Sequence, residues 1–98
     1  FADKGVDEII CVSVNDPFVM KAWGEATGAT AAGITMLGDA DGSFTKALGL
    51  SFDVQHLGFF GRSKRYSLLA EDGMVTRFNP ETGSGCEISA GEHLLSQL

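Results

Sequence analysis

The hydrophobic positions of this chain fall into short blocks whose period changes from one block to the next. Glu8–Asn15, EIICVSVN, is β-branched and almost continuously apolar. That predicts a strand covered on both faces, the pattern of a parallel sheet with helices packed over it. A parallel strand needs a neighbour, and no strand is predicted before it, so the sequence is expected to begin part-way through its fold. The stretch FADKGVD ahead of it reads as the tail of a helix, with Lys4 in the last turn and Gly5 as the stop. Asp16-Pro17 predicts a helix start, because Asp satisfies free N–H groups and Pro is tolerated in the first turn. Phe18, Ala22, Trp23 and Ala26 then share a stripe at helical spacing, expected to be core, and Gly28 is the predicted stop. After a loop, ATAAG, Ile34–Asp39 reads as a second strand. Asp41-Gly42-Ser43 opens a short helix, FTKALGL, closed by Gly49, with Phe44 also expected in the core.

Ser51–Gly61 reads as a long loop carrying Phe52, His56, Leu57, Phe59 and Phe60. So many apolar rings in a loop predict a folded-down or interface segment. RYSLLAE and MVTRF flank Asp72-Gly73, a strong two-residue hairpin signal. Tyr66, Leu68 and Ala70 would share one face of the first of these strands. A second loop, Asn79–Gly85, leads to Ser89-Ala-Gly-Glu92, which reads as a capping box, and Leu94, Leu95 and Leu98 give the last helix an apolar face. The predicted order is strand, helix, strand, short helix, hairpin, helix. This is an α/β arrangement that matches the end of a thioredoxin-like fold, incomplete at the N-terminus, with residues 1–98 forming a single partial domain.

Composition and charge narrow what such a domain can do. The 98 residues suit one small domain. A net charge of −6 argues against nucleic acid as a partner, since phosphate binding needs a positive face, and against docking on an anionic membrane. No apolar run approaches the length of a membrane span. Two cysteines, Cys11 and Cys86, are too few for a disulfide scaffold and predict a reducing, cytoplasmic setting. No C-x-x-C is present, so neither a zinc site nor a dithiol motif is expected. Asp39-x-Asp41-Gly42 lacks the spacing of a calcium loop and is read as capping for the short helix. His56 and His93 are read as surface histidines, and no metal or organic cofactor is expected. Cys11, set between Ile10 and Val12, is read as a buried, inert thiol.

One feature stands against the acidic background. Arg62, Lys64 and Arg65 lie within four residues of a chain that has only seven Lys and Arg in all, just before a predicted strand. A solvated, charged strand edge that discourages edge-to-edge pairing accounts for such a cluster. So does a site that needs positive charge.

Together, VSVNDPFVMKAW, LGDADGSFTKALGL, RSKRYSLLAEDGMV and the final SAGEHLLSQL resemble the peroxiredoxin 5 type of thiol peroxidase, also called redoxins or glutathione-type peroxiredoxins. The resemblance covers essentially the whole chain and implies a peroxidase of hydrogen peroxide and alkyl hydroperoxides, recycled by a thiol reductant such as glutathione with glutaredoxin, or thioredoxin. It implies that Arg65 supports the peroxidatic thiolate and the peroxide oxygens. Phe18 and Phe44 would contribute to a homodimer interface, and Cys86 would be a candidate resolving cysteine. The family's Pro-x-x-x-Thr-x-x-Cys motif, which carries the nucleophile, does not occur in these 98 residues. By the resemblance it lies upstream, and the 98 residues alone are expected to be inactive. Two other readings remain: a non-catalytic redoxin-derived binding or dimerisation module, and a reductase-like thiol protein working through Cys86.

Overall fold

Ile10, Cys11, Val12 and Ser13 form the strand that their β-branched setting predicts. In a computed structural model describing residues 5–81 and 88–98, this strand, β1 (Ile10–Ser13), pairs in parallel with β2 (Thr35–Gly38). Ile10 faces Thr35 and Ser13 faces Gly38. The crossover between them is α1 (Pro17–Thr27). Its N-terminus is capped as expected: Asp16 Oδ1 accepts the Val19 N–H at 2.8 Å, and Pro17 occupies the first turn. Its end is also where the sequence places it, with Gly28 at a left-handed φ of 78°.

The buried face of α1 differs from the predicted stripe. Met20 and Gly24 are buried, whereas Phe18 is 84% exposed and Trp23 43% exposed. The reason lies in Gly24. A Cβ there would stand 2.8 Å from Met36 Cγ and would collide with the Thr30 hydroxyl, so the missing side chain is what lets the helix close on β2. Met20 lies one turn earlier on the same line and packs near Gly38. The expectation that β1 is covered on both faces also fails within this structure. Ile10 and Leu37 remain exposed on the strand pair.

Beyond β2, α2 (Ser43–Ala47) follows Gly42, and Leu50 is buried just after it. Ser51–Gly61, predicted as a loop, is instead a strand pair. β3 (Ser51–Val54) runs antiparallel to β4 (Phe59–Ser63), joined by a 3₁₀ turn at Gln55–Leu57. Ser51 faces Ser63 and Phe52 faces Arg62, with a register slip before Val54 meets Phe59. The turn is closed by Gly58 at φ 73°, and Asp53 Oδ1 accepts the Gly61 N–H at 2.6 Å. This closure depends on a side chain eight residues away from its partner, a signal that no local turn motif carries.

The chain divides into two compact units with the boundary between Ser63 and Lys64. The second unit holds β5 (Tyr66–Glu71), β6 (Met74–Pro80) and α3 (Gly91–Ser96). β5 and β6 form the predicted hairpin. Asp72 and Gly73 both have positive φ, 51° and 80°, which is the two-residue turn that matches strand twist. A bulge between Leu69 and Ala70 on one strand leaves Thr76 as the extra residue on the other. Tyr66 and Phe78 meet diagonally across the pair, ring centroids 6.1 Å apart. Asn79, buried, donates to Gln97 Oε1 at 2.8 Å and to Ser67 Oγ at 3.3 Å, and Gln97 Nε2 donates back to Asn79 Oδ1 at 3.3 Å. These bonds tie α3 to the hairpin.

α3 departs from the predicted capping box. Ala90 occupies the cap position, with no side-chain cap bond, and its carbonyl accepts the N–H groups of His93 and Leu94. The helix therefore starts one residue late for Ser89 and Glu92 to bond reciprocally. Of the three leucines assigned to its apolar face, Leu94 is buried while Leu95 and Leu98 stay partly exposed.

Candidate functional site

Arg65 stands immediately before β5, and its backbone is held firmly. Its carbonyl accepts the Glu81 N–H at 2.8 Å, one rung beyond the Tyr66–Pro80 pair that closes the ladder. The hairpin thus fixes the backbone of Arg65, an exposed residue. A guanidinium keeps its charge and offers several N–H donors in a planar fork, which suits it to hold a thiolate or the oxygens of a small oxidant. The three cations do not form one block ahead of a strand. Arg62 lies inside β4, opposite Phe52, with its guanidinium carbon 5.5 Å from the centroid of the Phe59 ring. That contact gives Arg62 a local role in covering an aromatic surface. Lys64 and Arg65 belong to the second unit.

Phe18 and Phe44 each follow the carboxyl end of a parallel strand. Phe18 is in the first turn of α1 after β1, and Phe44 is in the first turn of α2 after β2. Because β1 and β2 run parallel, both helix starts belong to the same end of the strand pair. Both rings are exposed, Phe18 at 84% and Phe44 at 49%. This corrects the expectation that they are core.

The position of Phe44 is set by Asp39. The Asp39 carboxylate is buried and accepts three hydrogen bonds: Phe44 N–H at 3.2 Å, Thr45 N–H at 2.7 Å and Thr45 Oγ1–H at 2.7 Å. Its own N–H donates to the Ser13 carbonyl at 2.8 Å, tying β1, β2 and α2 together. The Thr45 hydroxyl, then the Thr45 and Phe44 N–H groups, hold the Asp39 carboxyl below its usual range against the opposing effect of burial. Asp41 Oδ1 accepts the Ser43 N–H at 3.0 Å, and the Ser43 backbone and hydroxyl lower its pKa as well. The capping role read from Asp39-x-Asp41-Gly42 is therefore observed. The sequence did not show that Asp39 reaches as far as Thr45.

Cys11 is half-buried in β1, opposite Met36, and burial pushes its thiol up from the ordinary range. It stays protonated at neutral pH and is a poor nucleophile there. Cys86, the candidate resolving cysteine, lies outside the described residues. Among the described residues no three His, Cys, Asp or Glu side chains converge as a metal site. None of the helices among them is long and apolar enough to cross a membrane.

A parallel β-α-β unit, a short helix, and an antiparallel hairpin closed by a helix define an α/β protein of the thioredoxin-like kind. The redoxin family model matches residues 1–95, and the chain belongs to that family. It is 45% identical over 97 residues to chloroplastic Peroxiredoxin-2E-2 of Oryza sativa subsp. japonica, covering 97% of this chain and 43% of that protein. It is also 45% identical over 95 residues to Peroxiredoxin-2B of Arabidopsis thaliana, covering 97% and 58%. Among solved structures, reduced Prx3 from Vibrio vulnificus in complex with hydrogen peroxide superposes with a TM-score of 0.91 at 50% identity, covering 99% of this chain and 61% of that one. The chain thus spans about half the length of the curated relatives it matches. The family resemblance carried by VSVNDPFVMKAW, LGDADGSFTKALGL, RSKRYSLLAEDGMV and SAGEHLLSQL is borne out.

Proposed function

We propose that these residues form the arginine-bearing part of a thiol peroxidase acting on hydrogen peroxide and alkyl hydroperoxides. Two observations support the reading: the redoxin match over residues 1–95, and the Arg65 carbonyl bond to the Glu81 N–H that fixes the backbone at the start of the hairpin. In this reading a peroxidatic cysteine thiolate, outside these 98 residues, attacks the terminal peroxide oxygen. The S–O bond forms, the O–O bond breaks, and the leaving oxygen takes a proton to depart as water or an alcohol. Arg65 stabilises the thiolate before the step and the charge on the peroxide oxygens during it. A thiol then condenses with the sulfenic acid, releasing water, and a second thiol frees the enzyme. Glutathione with glutaredoxin, or thioredoxin, fits as reductant, and a reducing compartment such as the cytoplasm fits as setting. The exposed Phe18 and Phe44 support a homodimer contact at the start of α1 and α2. Cys86 is the candidate for intramolecular resolution.

The test is peroxide consumption by the longer protein containing this chain, with Arg65 replaced by Ala and by Lys. Losing a preorganised donor of this kind costs on the order of 10²–10³ in rate. R65A is expected to fall by that much and to raise the pKa of the reactive thiol, with R65K recovering part of both. Unchanged turnover and thiol pKa in R65A would refute the role. The exposed aromatic rings also favour a second reading, a redoxin-derived binding or dimerisation module without peroxidase activity. That reading predicts self-association that survives in a protein showing no peroxide turnover.

A further inference from the structure

The chain has three methionines, and the fold sorts them sharply. Met20 is 1% exposed, packed between α1 and β2. Met36 is half-buried in β2, its Cγ against the backbone of Gly24. Met74 is 72% exposed, the first residue of β6, paired with Glu71 directly across the Asp72-Gly73 turn. By register it is on the hairpin face that carries Ser67 and Asn79, at the end away from those two residues.

We propose that Met74 is a site of reversible sulfoxidation by hydroperoxides. A thioether needs no deprotonation to react, so access decides which methionine is oxidised. The sulfur lone pair attacks one peroxide oxygen, the S–O bond forms and the O–O bond breaks. The leaving oxygen takes up a proton and departs as water or an alcohol. Sulfur loses two electrons and the peroxide gains them. The product is a polar sulfoxide, which a methionine sulfoxide reductase can return to the thioether. At Met74 the new oxygen points into water and no packing is lost. At Met20 it would be placed in an apolar interior without a partner, which is costly. The hairpin around Met74 is held by its turn and ladder, so the modified side chain leaves the backbone in place. This chemistry is stoichiometric, and it needs neither Arg65 nor a peroxidatic cysteine.

The sequence supplies a clean readout, because trypsin puts each methionine on its own peptide: Met20 on residues 5–21, Met36 on 22–46 and Met74 on 66–77. The full chain, cysteines alkylated, is exposed to graded hydrogen peroxide and the gain of one oxygen on each peptide is followed by mass spectrometry. The 66–77 peptide is expected to oxidise at least about tenfold faster than the 5–21 peptide, in keeping with access control. Circular dichroism and melting should be unchanged at full Met74 oxidation, and methionine sulfoxide reductase should remove the added oxygen. M74L should abolish the gain on 66–77 and leave the other two peptides as before. Equal or faster oxidation of the 5–21 peptide, a 66–77 peptide that gains no oxygen, or a modified site that the reductase cannot reverse would each overturn the proposal.

Discussion

Replacing Gly38 with Ala isolates one steric contact on which the first unit depends. Gly38 ends β2 and its backbone is not in the left-handed region, so alanine meets no conformational objection. The difficulty is space. A Cβ at Gly38 would stand 2.5 Å from the Asn15 carbonyl oxygen, 3.3 Å from the Asp16 carbonyl carbon and 3.4 Å from Met20 Cγ. The first of these is about 1 Å inside a comfortable non-bonded separation. The obstacle is backbone, and it is held from several sides. Asn15 N–H donates to the Ser13 carbonyl at 2.9 Å, Asn15 Nδ2 donates to Ser13 Oγ at 2.9 Å, and Asp16 caps α1. Overpacking of this kind costs about 1–3 kcal/mol, offset by about 0.4–1 kcal/mol for the stiffer unfolded chain. A net loss of about 1–2 kcal/mol lowers the melting temperature of a domain this size by roughly 4–16 °C. The assay is thermal unfolding by circular dichroism, with Gly49→Ala as comparison. Gly49 has φ 73° and nothing within 4 Å of a new Cβ, so its cost is that of the left-handed backbone alone, about 1–2 kcal/mol. The two variants can therefore melt alike, and hydrogen exchange at Val19 separates them. Gly38→Ala pushes directly on Asn15 and Asp16 and should speed exchange of the Val19 N–H, while Gly49→Ala should leave it alone. A Gly38→Ala protein that melts within about 1 °C of the parent, with Val19 exchange unchanged, would refute the steric argument.

The remaining expectations concern polar groups. Asn79→Ala leaves Gln97 and Ser67 without their shared partner in a buried setting and should destabilise the second unit by about 1–3 kcal/mol, measured by urea unfolding. Because Asp39 is held below its unfolded value, it contributes stability at pH above that unfolded value, and this is lost as pH falls through the folded one. Thr45→Val removes the largest cause of the shift, so the variant should be less stable near neutrality and show a shallower acid loss; parallel curves for the two proteins would count against the assignment. Cys11 should alkylate slowly at pH 7 and speed up only above the ordinary thiol range near pH ~8.5. Rapid labelling at neutral pH, assigned by peptide mapping to Cys11, would show that burial does not govern it.

The elements that could be read directly from the sequence are those whose signal and effect lie within a few residues. Asp16-Pro17 caps α1, Gly28 ends it, and Asp72-Gly73 turns the hairpin, because each acts on its own backbone. The β3–β4 pair was hidden because its turn is assembled from Gly58, a register slip and an Asp53–Gly61 bond, none of which forms a recognisable pair of turn residues. The face of α1 was misread for a different reason. Hydrophobic spacing weighs large side chains, whereas the helix approaches β2 along Met20 and Gly24, and the decisive residue contributes only the absence of a side chain. Once Gly24 fixes that approach, Phe18 and Trp23 turn outward whatever their hydrophobicity. The same reasoning applies to the candidate site. Motif resemblance singled out Arg65, but what makes its position definite is the Glu81 N–H bond to its carbonyl, a contact between the two ends of a hairpin. Hydrophobic pattern shows which residues are able to be buried; close approaches and backbone pairing decide which of them are. Phe18, 84% exposed, and Trp23, 43% exposed, are left outside by the approach of α1 to β2.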